Sequence, residues 1–228
     1  MTAPFRILII NGNTKNSGFI HGALNIIAAR LEEKGAAVNR LDLRDKNIND
    51  CLGCFNCLKT GECQLSDDME EIIPAMLAAD GFVVGSPVRN GNVTALYKRF
   101  YERITYRLGF PLLLADKHTL AVSCVGYMTG KKINKKFLGL QDVFRTRLSG
   151  FLFFSVGLPT RLTPESAEGR LKAAADKLLA DIKNGRKRGL KDNLAFVLDR
   201  AVIRNFMLKK NPAQYANVIR HWREKGYY

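Results

Sequence analysis

The sequence has 228 residues, of which 46% are hydrophobic and 25% are charged, and its formal net charge is +15 at pH 7. This composition is typical of a soluble globular protein with a sizeable core. No apolar run is long enough to span a bilayer, and the first residues lack the layout of a signal peptide. The composition therefore argues against a transmembrane segment, and we expect a cytoplasmic protein in a reducing compartment.

The chain alternates between strand patterns and helical patterns five times. The first strand is a continuous apolar run with one Arg, and a helical pattern follows it and stops near Gly35. The predicted strands are residues 5–10, 38–43, 81–86, 117–124 and 150–156. The predicted helices cover about 23–31, a segment that begins at Asp67 with Glu70 completing a capping box, and 93–108, 133–148 and 165–183. This alternation predicts an α/β fold with a parallel sheet.

A compact run of cysteines separates the second strand from the next helix. Cys51, Cys54, Cys57 and Cys63 are spaced C-x2-C-x2-C-x5-C, so that four sulfurs can face one centre. Iron–sulfur clusters are held by four thiolates in runs of this kind. Structural zinc sites usually draw two cysteine pairs from separate segments, and disulfides are disfavoured in a reducing compartment. An iron–sulfur cluster is favoured, while zinc, a disulfide or free thiols remain open at this stage.

Polar loops that contain glycine follow the first, third and fourth predicted strands, at the edge where parallel sheets bind ligands. In the first loop Gly18 permits close backbone approach, Asn13 and Ser17 offer hydrogen bonds, and Lys15 offers charge before a helix N-terminus. This loop can cradle a phosphate, although an ordinary strand-to-helix turn also explains it. It matches neither a Walker loop nor G-x-G-x-x-G, which disfavours a nucleoside triphosphate or a Rossmann dinucleotide.

Three features coincide in order along the chain. They are Asn11-Gly12 with Gly18-Phe19 after the first strand, the cysteine run followed by Asp67-Asp68-Met69, and Gly85-Ser86-Pro87-Val88 with Gly91-Asn92-Val93 after the third strand. Together they resemble the flavodoxin-fold NAD(P)H-dependent FMN reductases, and in particular the iron–sulfur flavoproteins, over roughly residues 5–159. The resemblance implies a flavodoxin-like three-layer sandwich with a five-stranded parallel sheet at 1–185 and a helical C-terminal extension at 186–228.

The resemblance also implies site residues. The FMN phosphate would be held by Asn13, Lys15, Ser17, Gly18 and Phe19. The flavin ring would be lined by Pro87, Val88, Arg89, Asn90, Gly91 and Asn92, with Gly126 from the third loop. A [4Fe–4S] cluster would be bound by Cys51, Cys54, Cys57 and Cys63.

The sequence departs from the family in two of these loops. The usual first loop resembles Ser-Pro-Arg, where this chain has Asn13, Thr14 and Lys15, so a point charge replaces a bidentate guanidinium. An aromatic residue that is usual in the second loop is replaced by Arg89 or Asn90. Weaker FMN binding or an altered flavin environment is therefore compatible with the sequence.

These features predict a redox flavoprotein that transfers electrons between FMN and a [4Fe–4S] cluster, with NAD(P)H or a ferredoxin-type protein as donor and an unidentified acceptor. One alternative is an NAD(P)H-dependent FMN or quinone reductase without a cluster. The other is a nucleic-acid or membrane-surface binder that uses the basic tail, where residues 185–228 contain eleven Lys or Arg against three Asp or Glu. A solvated basic face is favoured over nucleic-acid binding.

The tail also leads to an expectation about assembly. In residues 190–208 a broad apolar face is accompanied by a second stripe formed by Phe196, Ile203 and Met207. Because a helix that is apolar on two sides needs cover on two sides, we expect a homodimer or larger oligomer with these three residues at the partner. The competing expectation is that the tail folds back and its last helix, which bears Ile219 and Trp222, covers the second stripe.

Overall fold

A computed structural model describes residues 3–127, 130–157 and 162–228 of the chain. Five parallel strands form one sheet in the order β2-β1-β3-β4-β5. The strands are β1 (Arg6–Asn11), β2 (Ala37–Asp42), β3 (Gly81–Pro87), β4 (His118–Val125) and β5 (Arg147–Ser155). This order is that of the flavodoxin-like fold, with a topological switch point between β1 and β3.

Eight helices accompany the sheet within the described residues. They are α1 (Phe19–Glu33), α2 (Asn56–Thr60), α3 (Met69–Ala78), α4 (Ala95–Ile104), α5 (Lys131–Leu138), α6 (Glu168–Lys183), α7 (Leu190–Ile203) and α8 (Ala216–Glu224). Wider π-helical turns extend α4 over Thr105–Gly109 and α7 over Arg204–Leu208. No helix among the described residues is both long and apolar enough to cross a bilayer.

The sheet has a hydrophobic core on each face, and this gives the three-layer sandwich predicted from the sequence. On one face, side chains of α1 and α6 pack against β1, β3 and β4 around Ile9, Leu24 and Leu178. On the other face, α3, α4 and α5 pack around Phe82 and Phe100. The central strands β3 and β4 are buried along their whole length, as expected for strands covered on both faces.

The fourth predicted helix is shorter than the sequence pattern indicates. The pattern predicts a helix over residues 133–148, but α5 ends at Leu138 and β5 begins at Arg147. Leu140 and Arg145 have positive φ angles between these elements, so the chain turns there and cannot remain helical. Leu148 then pairs with Thr119 in the sheet.

The predicted capping box is also wrong. The first residue of α3 is Met69, and Asp68 at the N-cap makes no side-chain hydrogen bond to the helix. The Asp67 carboxylate does accept the Met69 N–H at 3.1 Å, but its other contacts lie across the fold and are described below.

The tail folds back on the domain through a third hydrophobic cluster. Phe196 is only 5% exposed and packs with α8, where Trp222 is fully buried and donates its indole N–H to the Phe110 carbonyl at 2.8 Å. Ile203 packs against the same cluster. The expectation that Phe196 and Ile203 face a partner is therefore wrong, and the fold-back account holds for that stripe.

The opposite face of α7 is uncovered. Its large apolar side chains are between 44% and 88% exposed, and they are Leu190, Leu194, Val197, Leu198, Val202 and, in the π-helical turn, Phe206. This outer face of α7 is the part of the tail that remains available to a partner.

Candidate functional site

The loop after β1 is closed by its own polar groups. Asn13 is 6% exposed, its N–H donates to Asn11 Oδ1 at 3.0 Å, and its side-chain amide donates to the Ser17 carbonyl at 3.0 Å. Asn13 therefore shapes the loop, and its amide is engaged within the protein. Gly12 lies against strand β3, where its N–H donates to the Gly85 carbonyl at 2.7 Å.

The first loop leaves the N-terminus of α1 open. Gly18 precedes the helix with φ 83°, no side chain caps the first turn, and that turn contains no acidic residue. Lys15 and Ser17 are exposed beside it. Free N–H groups, a positive helix end and a lysine form a suitable arrangement for a phosphate monoester.

Phe19 contributes to this site differently from the sequence expectation. Its ring is 8% exposed and packs on Phe154 with centroids 4.8 Å apart, on the α1 side of the sheet. The side chain therefore anchors the start of α1 in the core. Of this residue, the backbone N–H in the first turn of the helix is the group suited to an anion.

The loop after β3 is a tight turn built by Asn90 and Gly91. The N–H groups and carbonyls of Arg89 and Asn92 exchange hydrogen bonds of 2.7 and 2.9 Å, and the two central residues have φ angles of 47° and 77°. Positive φ at both positions is typical of a type I′ turn, for which Asn-Gly is a preferred sequence. Pro87 and Val88 at its base are buried, whereas Arg89 is exposed at the rim.

Buried hydroxyls join the three loops to one another. Ser86 Oγ accepts the Thr94 N–H at 3.3 Å, and Ser123 Oγ donates to the Ser86 carbonyl at 2.8 Å. Thr94 caps α4 and donates its hydroxyl to the Gly12 carbonyl at 2.7 Å. Asn134 is fully buried and its amide donates to the Gly130 carbonyl at 3.2 Å. The loops are thus held at one edge of the sheet.

The third loop contributes exposed backbone to this edge. Gly126 is exposed, and a Cβ on Gly157 would lie 2.2 Å from the Gly126 carbonyl oxygen, so the two chain segments are in direct contact. The predicted Gly126–Lys132 loop includes Met128 and Thr129, which lie outside the described residues.

The four clustered cysteines line one pocket. Cys51, Cys54, Cys57 and Cys63 share it with side chains of α4 and its π-helical extension, and all four are free thiols. Burial, and then the neighbouring Cys63, Cys51 and Cys54, raise the pKa of the Cys57 thiol to about 11. Thiols this close resist ionising together unless a cation accompanies them, which is the condition a metal centre supplies.

The pocket does not have the geometry of a single-ion site. In the parts of the chain that the structure describes, no group of three or more His, Cys, Asp or Glu side chains is arranged to hold a metal ion. The donor set of four thiols around a common space nevertheless fits a larger metal group.

A buried ion pair lies beside the cysteine pocket, and one member of the pair, Arg103, lines it. Arg103 of α4 and Asp67 have side chains that are 2% and 0% exposed, and they contact each other through two hydrogen bonds. Arg103 also donates to the Asn49 carbonyl at 2.8 Å and approaches Cys63 Sγ at 3.5 Å. Asp67 in turn accepts the Asn49 N–H at 2.8 Å. The pair therefore closes the cysteine loop where it begins and where it ends.

Helix α8 supports the other side of the cysteine loop. Gln214 donates to the Phe55 carbonyl at 3.2 Å, and Asn217 donates to the Cys57 carbonyl at 3.4 Å. Leu58 of α2 is buried in the same cluster as Trp222. The basic tail thus makes direct contacts with the segment that carries the thiols.

The sequence alone did not indicate several of these residues. Thr94, Ser123 and Asn134 hold the loops, and Arg103 lies at the thiols. One sequence signal was available, because a polar residue at the end of an otherwise apolar buried strand, as in Ser86 and Ser123, often marks the ligand edge of a parallel sheet. Arg103 gave no such signal, since an arginine on a helix is usually a surface residue.

The strand order and the loops at the carboxyl edge of the sheet define a flavodoxin-like fold of the type that binds flavin. The chain belongs to the NADPH-dependent FMN reductase family, whose model matches residues 5–136. It is accordingly a flavin-dependent oxidoreductase.

Curated relatives agree with this assignment, and a solved structure agrees with the fold. An iron–sulfur flavoprotein of Clostridioides difficile (strain 630) is 26% identical over 224 residues, which cover 96% of this chain and 98% of the relative. Another, of Methanocaldococcus jannaschii, is 37% identical over 112 residues, or 47% of this chain and 56% of the relative. A flavone reductase structure superposes with a TM-score of 0.63 and 19% identity, covering 78% of this chain and 63% of that one. At this identity the structural likeness concerns the fold alone.

Proposed function

We propose that this protein is a redox flavoprotein that holds FMN and a [4Fe–4S] cluster and passes electrons between them. NAD(P)H or a ferredoxin-type protein would be the donor, and a small molecule or another protein the acceptor. The observation that carries the proposal is the pocket lined by Cys51, Cys54, Cys57 and Cys63. Helix α4 connects this pocket to the loops expected to hold the flavin. The near full-length relative named an iron–sulfur flavoprotein supports the same reading.

Helix α4 connects the two candidate sites. Its N-cap, Thr94, donates to the Gly12 carbonyl of the first loop, and Arg103 near its end reaches the cysteine pocket. Ten residues of helix span about 15 Å. FMN accepts electrons in pairs or singly and a [4Fe–4S] cluster passes them singly, so the two groups together would convert between two-electron and one-electron chemistry.

The residues of the carboxyl edge have separate roles in holding FMN. Lys15, Ser17 and the first N–H groups of α1 would bind the phosphate, while Asn13 keeps the loop closed. The flavin ring would lie along the second loop, from Pro87 to Asn92, and against the third loop at Gly126. Lys15 and Arg89 would place positive charge near the flavin and favour its anionic reduced form.

The spacing of the thiols supports a cluster over zinc. Structural zinc sites usually draw two cysteine pairs from separate segments, whereas iron–sulfur clusters are held by four thiolates in compact runs. Cys51, Cys54, Cys57 and Cys63 form one such run and line one pocket.

Anaerobic purification followed by metal and flavin analysis tests the proposal. We expect about four irons per chain, as a four-thiolate cubane requires, and one FMN. Cys54→Ala should lose the iron and keep FMN. Cys124→Ala is the matched control, because that buried thiol lies on β4 outside the cysteine pocket, and it should keep both.

Other results would select the alternatives. Stoichiometric zinc without iron contradicts the cluster, and FMN with no metal favours an FMN or quinone reductase. Salt-sensitive binding to nucleic acid or anionic lipid with no bound chromophore favours the basic-surface hypothesis.

We further propose that the protein is a cytoplasmic homo-oligomer. Five free cysteines suit a reducing compartment. The outer face of α7 offers six large apolar side chains without cover from the described chain, and monomeric proteins seldom expose an apolar patch of that extent. The proposed partner surface is therefore the outer face of α7, and not the side of this helix that contains Phe196 and Ile203.

A further inference from the structure

We infer that Arg103 and Asp67 set the reduction potential of the metal group in the cysteine pocket, in opposite directions. This inference rests on the proposed cluster. Arg103 is a positioning residue: it acts on the Cys63 sulfur, and Asp67 acts on Arg103.

Arg103 donates a hydrogen bond to a sulfur of the cysteine pocket. An Nη2 atom of Arg103 lies 3.5 Å from Cys63 Sγ, within range for a donor to sulfur. Reduction adds negative charge to a thiolate-bound cluster. A donor directed at a ligand sulfur therefore stabilises the reduced form more than the oxidised form and raises the potential.

The guanidinium of Arg103 is buried. Arg103 is 2% exposed at its side chain, so water does not screen its charge. The other arginine of α4, Arg99, is exposed at the surface. The buried charge acts on the pocket at close range.

The negative charge of Asp67 compensates the positive charge of Arg103. This carboxylate is fully buried, pairs with the guanidinium and accepts the N–H groups of Asn49 and Met69, all of which stabilise its ionised form. The two opposite charges of the Arg103–Asp67 pair therefore nearly cancel at distances larger than their separation. The guanidinium donates directly to the sulfur and raises the potential, whereas Asp67 reduces that effect.

The experiment measures the midpoint potential of the iron–sulfur signal in the FMN-loaded holoprotein by titration followed with electron paramagnetic resonance. Arg103→Gln should lower the potential. Asp67→Asn, which keeps an oxygen for the Arg103 donor but removes the charge, should raise it. We expect each equilibrium constant for reduction to change about ten-fold, which for one electron is 59 mV.

Arg107→Gln is the matched control. Arg107 lines the same pocket from the next helical turn, and no hydrogen bond to a thiol is found for it among the described contacts. Its replacement removes the same charge without removing a bond to sulfur, so we expect a smaller shift.

Iron content and the visible spectrum of each variant separate the outcomes. Opposite shifts for Arg103→Gln and Asp67→Asn in iron-loaded protein support the inference. Shifts of the same sign, no shift, loss of iron from both variants, or an equal shift in Arg107→Gln overturn it and leave the proposed function intact. A wild-type protein that binds no iron overturns both.

Discussion

Individual residues at the carboxyl edge of the sheet divide into those that build the loops and those that face outward. Asn13 and Phe19 belong to the first group, because the amide of one and the ring of the other are engaged inside the protein. Lys15 and Ser17 belong to the second. A sequence pattern places all four in one loop, but it cannot assign their partners, since those depend on distant residues such as Phe154.

Lys15 provides a direct test of the phosphate assignment. Lys15→Ala should weaken FMN by about 1–3 kcal/mol, the scale of one charge-assisted hydrogen bond. Riboflavin lacks the phosphate, so its affinity should not change. Flavin fluorescence titration measures both, with Lys34→Ala at the far end of α1 as control. Equal wild-type affinity for FMN and riboflavin would show that the assignment is wrong.

His118 is a residue whose position the sequence did not reveal. It is 3% exposed at the start of β4, with Nδ1 3.3 Å from Ser149 Oγ. Burial, together with Arg147, lowers the pKa of its imidazole below the ordinary value of 6.5. A single histidine in an apolar strand context gives no sequence signal for such burial.

The lowered pKa of His118 predicts a pH dependence of stability. In the unfolded chain the imidazole gains a proton near pH 6.5, while in the folded protein it stays neutral to lower pH. The stability that the neutral ring contributes is therefore fully present above pH 6.5 and is lost as the pH falls from 6.5 through the lowered pKa of the folded protein. Urea unfolding at pH 7.5 and pH 5 should show a larger loss for wild type than for His118→Asn, and an equal loss would contradict the assignment.

At the scale of elements, the contact between α2 and α8 links the tail to the cysteine loop. Gly61 ends α2 with φ 90°, and a Cβ there would lie 3.0 Å from Asn217 Oδ1. Gly61→Ala should therefore strain the backbone by about 1–2 kcal/mol and displace the Asn217 amide that donates to the Cys57 carbonyl. We expect iron to be lost faster during gel filtration while FMN is retained.

Gly185→Ala controls for backbone strain alone. Gly185 also has a positive φ angle, 57°, but a Cβ there meets no atom within 4 Å. Asn217→Ala alone should also lower iron retention, because it removes the amide that donates to the Cys57 carbonyl. If Gly61→Ala retained iron as well as wild type, α8 would not support the loop.

The outer face of α7 makes the homo-oligomer testable. Replacing Leu194, Leu198 and Val202 together by Ser should give a particle of 25.5 kDa in light scattering, where the wild type should show a multiple of that mass. Leu77→Ser with Ile133→Ser, which are 41% and 43% exposed on other elements, is the control. A wild-type monomer at micromolar concentration would disprove the proposal.

For the molecule as a whole, the sequence predicts the sheet better than it predicts the tail. Buried strands leave continuous apolar runs, so the five strands are each predicted to within a few residues. The apolar spacing wrongly predicts a helix over residues 139–146, because the turn there has the same spacing but positive φ angles at Leu140 and Arg145. The two apolar stripes of α7 were recognisable, but which one its own domain covers depends on α8, a long-range contact that periodicity does not encode.

The same limit applies to the candidate site. From the sequence alone, the thiol spacing predicts a metal-binding loop, and the loops after the first and third strands predict a cofactor edge. The Arg103–Asp67 pair joins positions 36 apart, and Asn217 reaches Cys57 across 160 positions. Such pairings are set by the packing of α4 and α8, so only the folded molecule reveals them.

The support that α8 gives to the cysteine loop also has a consequence for biosynthesis. The N-terminal part of the chain emerges first from the ribosome. The sheet with its flavin loops can therefore begin to form while the tail is still being translated. Cys57 and Asn217 can meet only after nearly every codon has been read, because they lie 160 positions apart. Insertion of the proposed cluster into a finished pocket would therefore follow translation, and the thiols would need protection from oxidants until then.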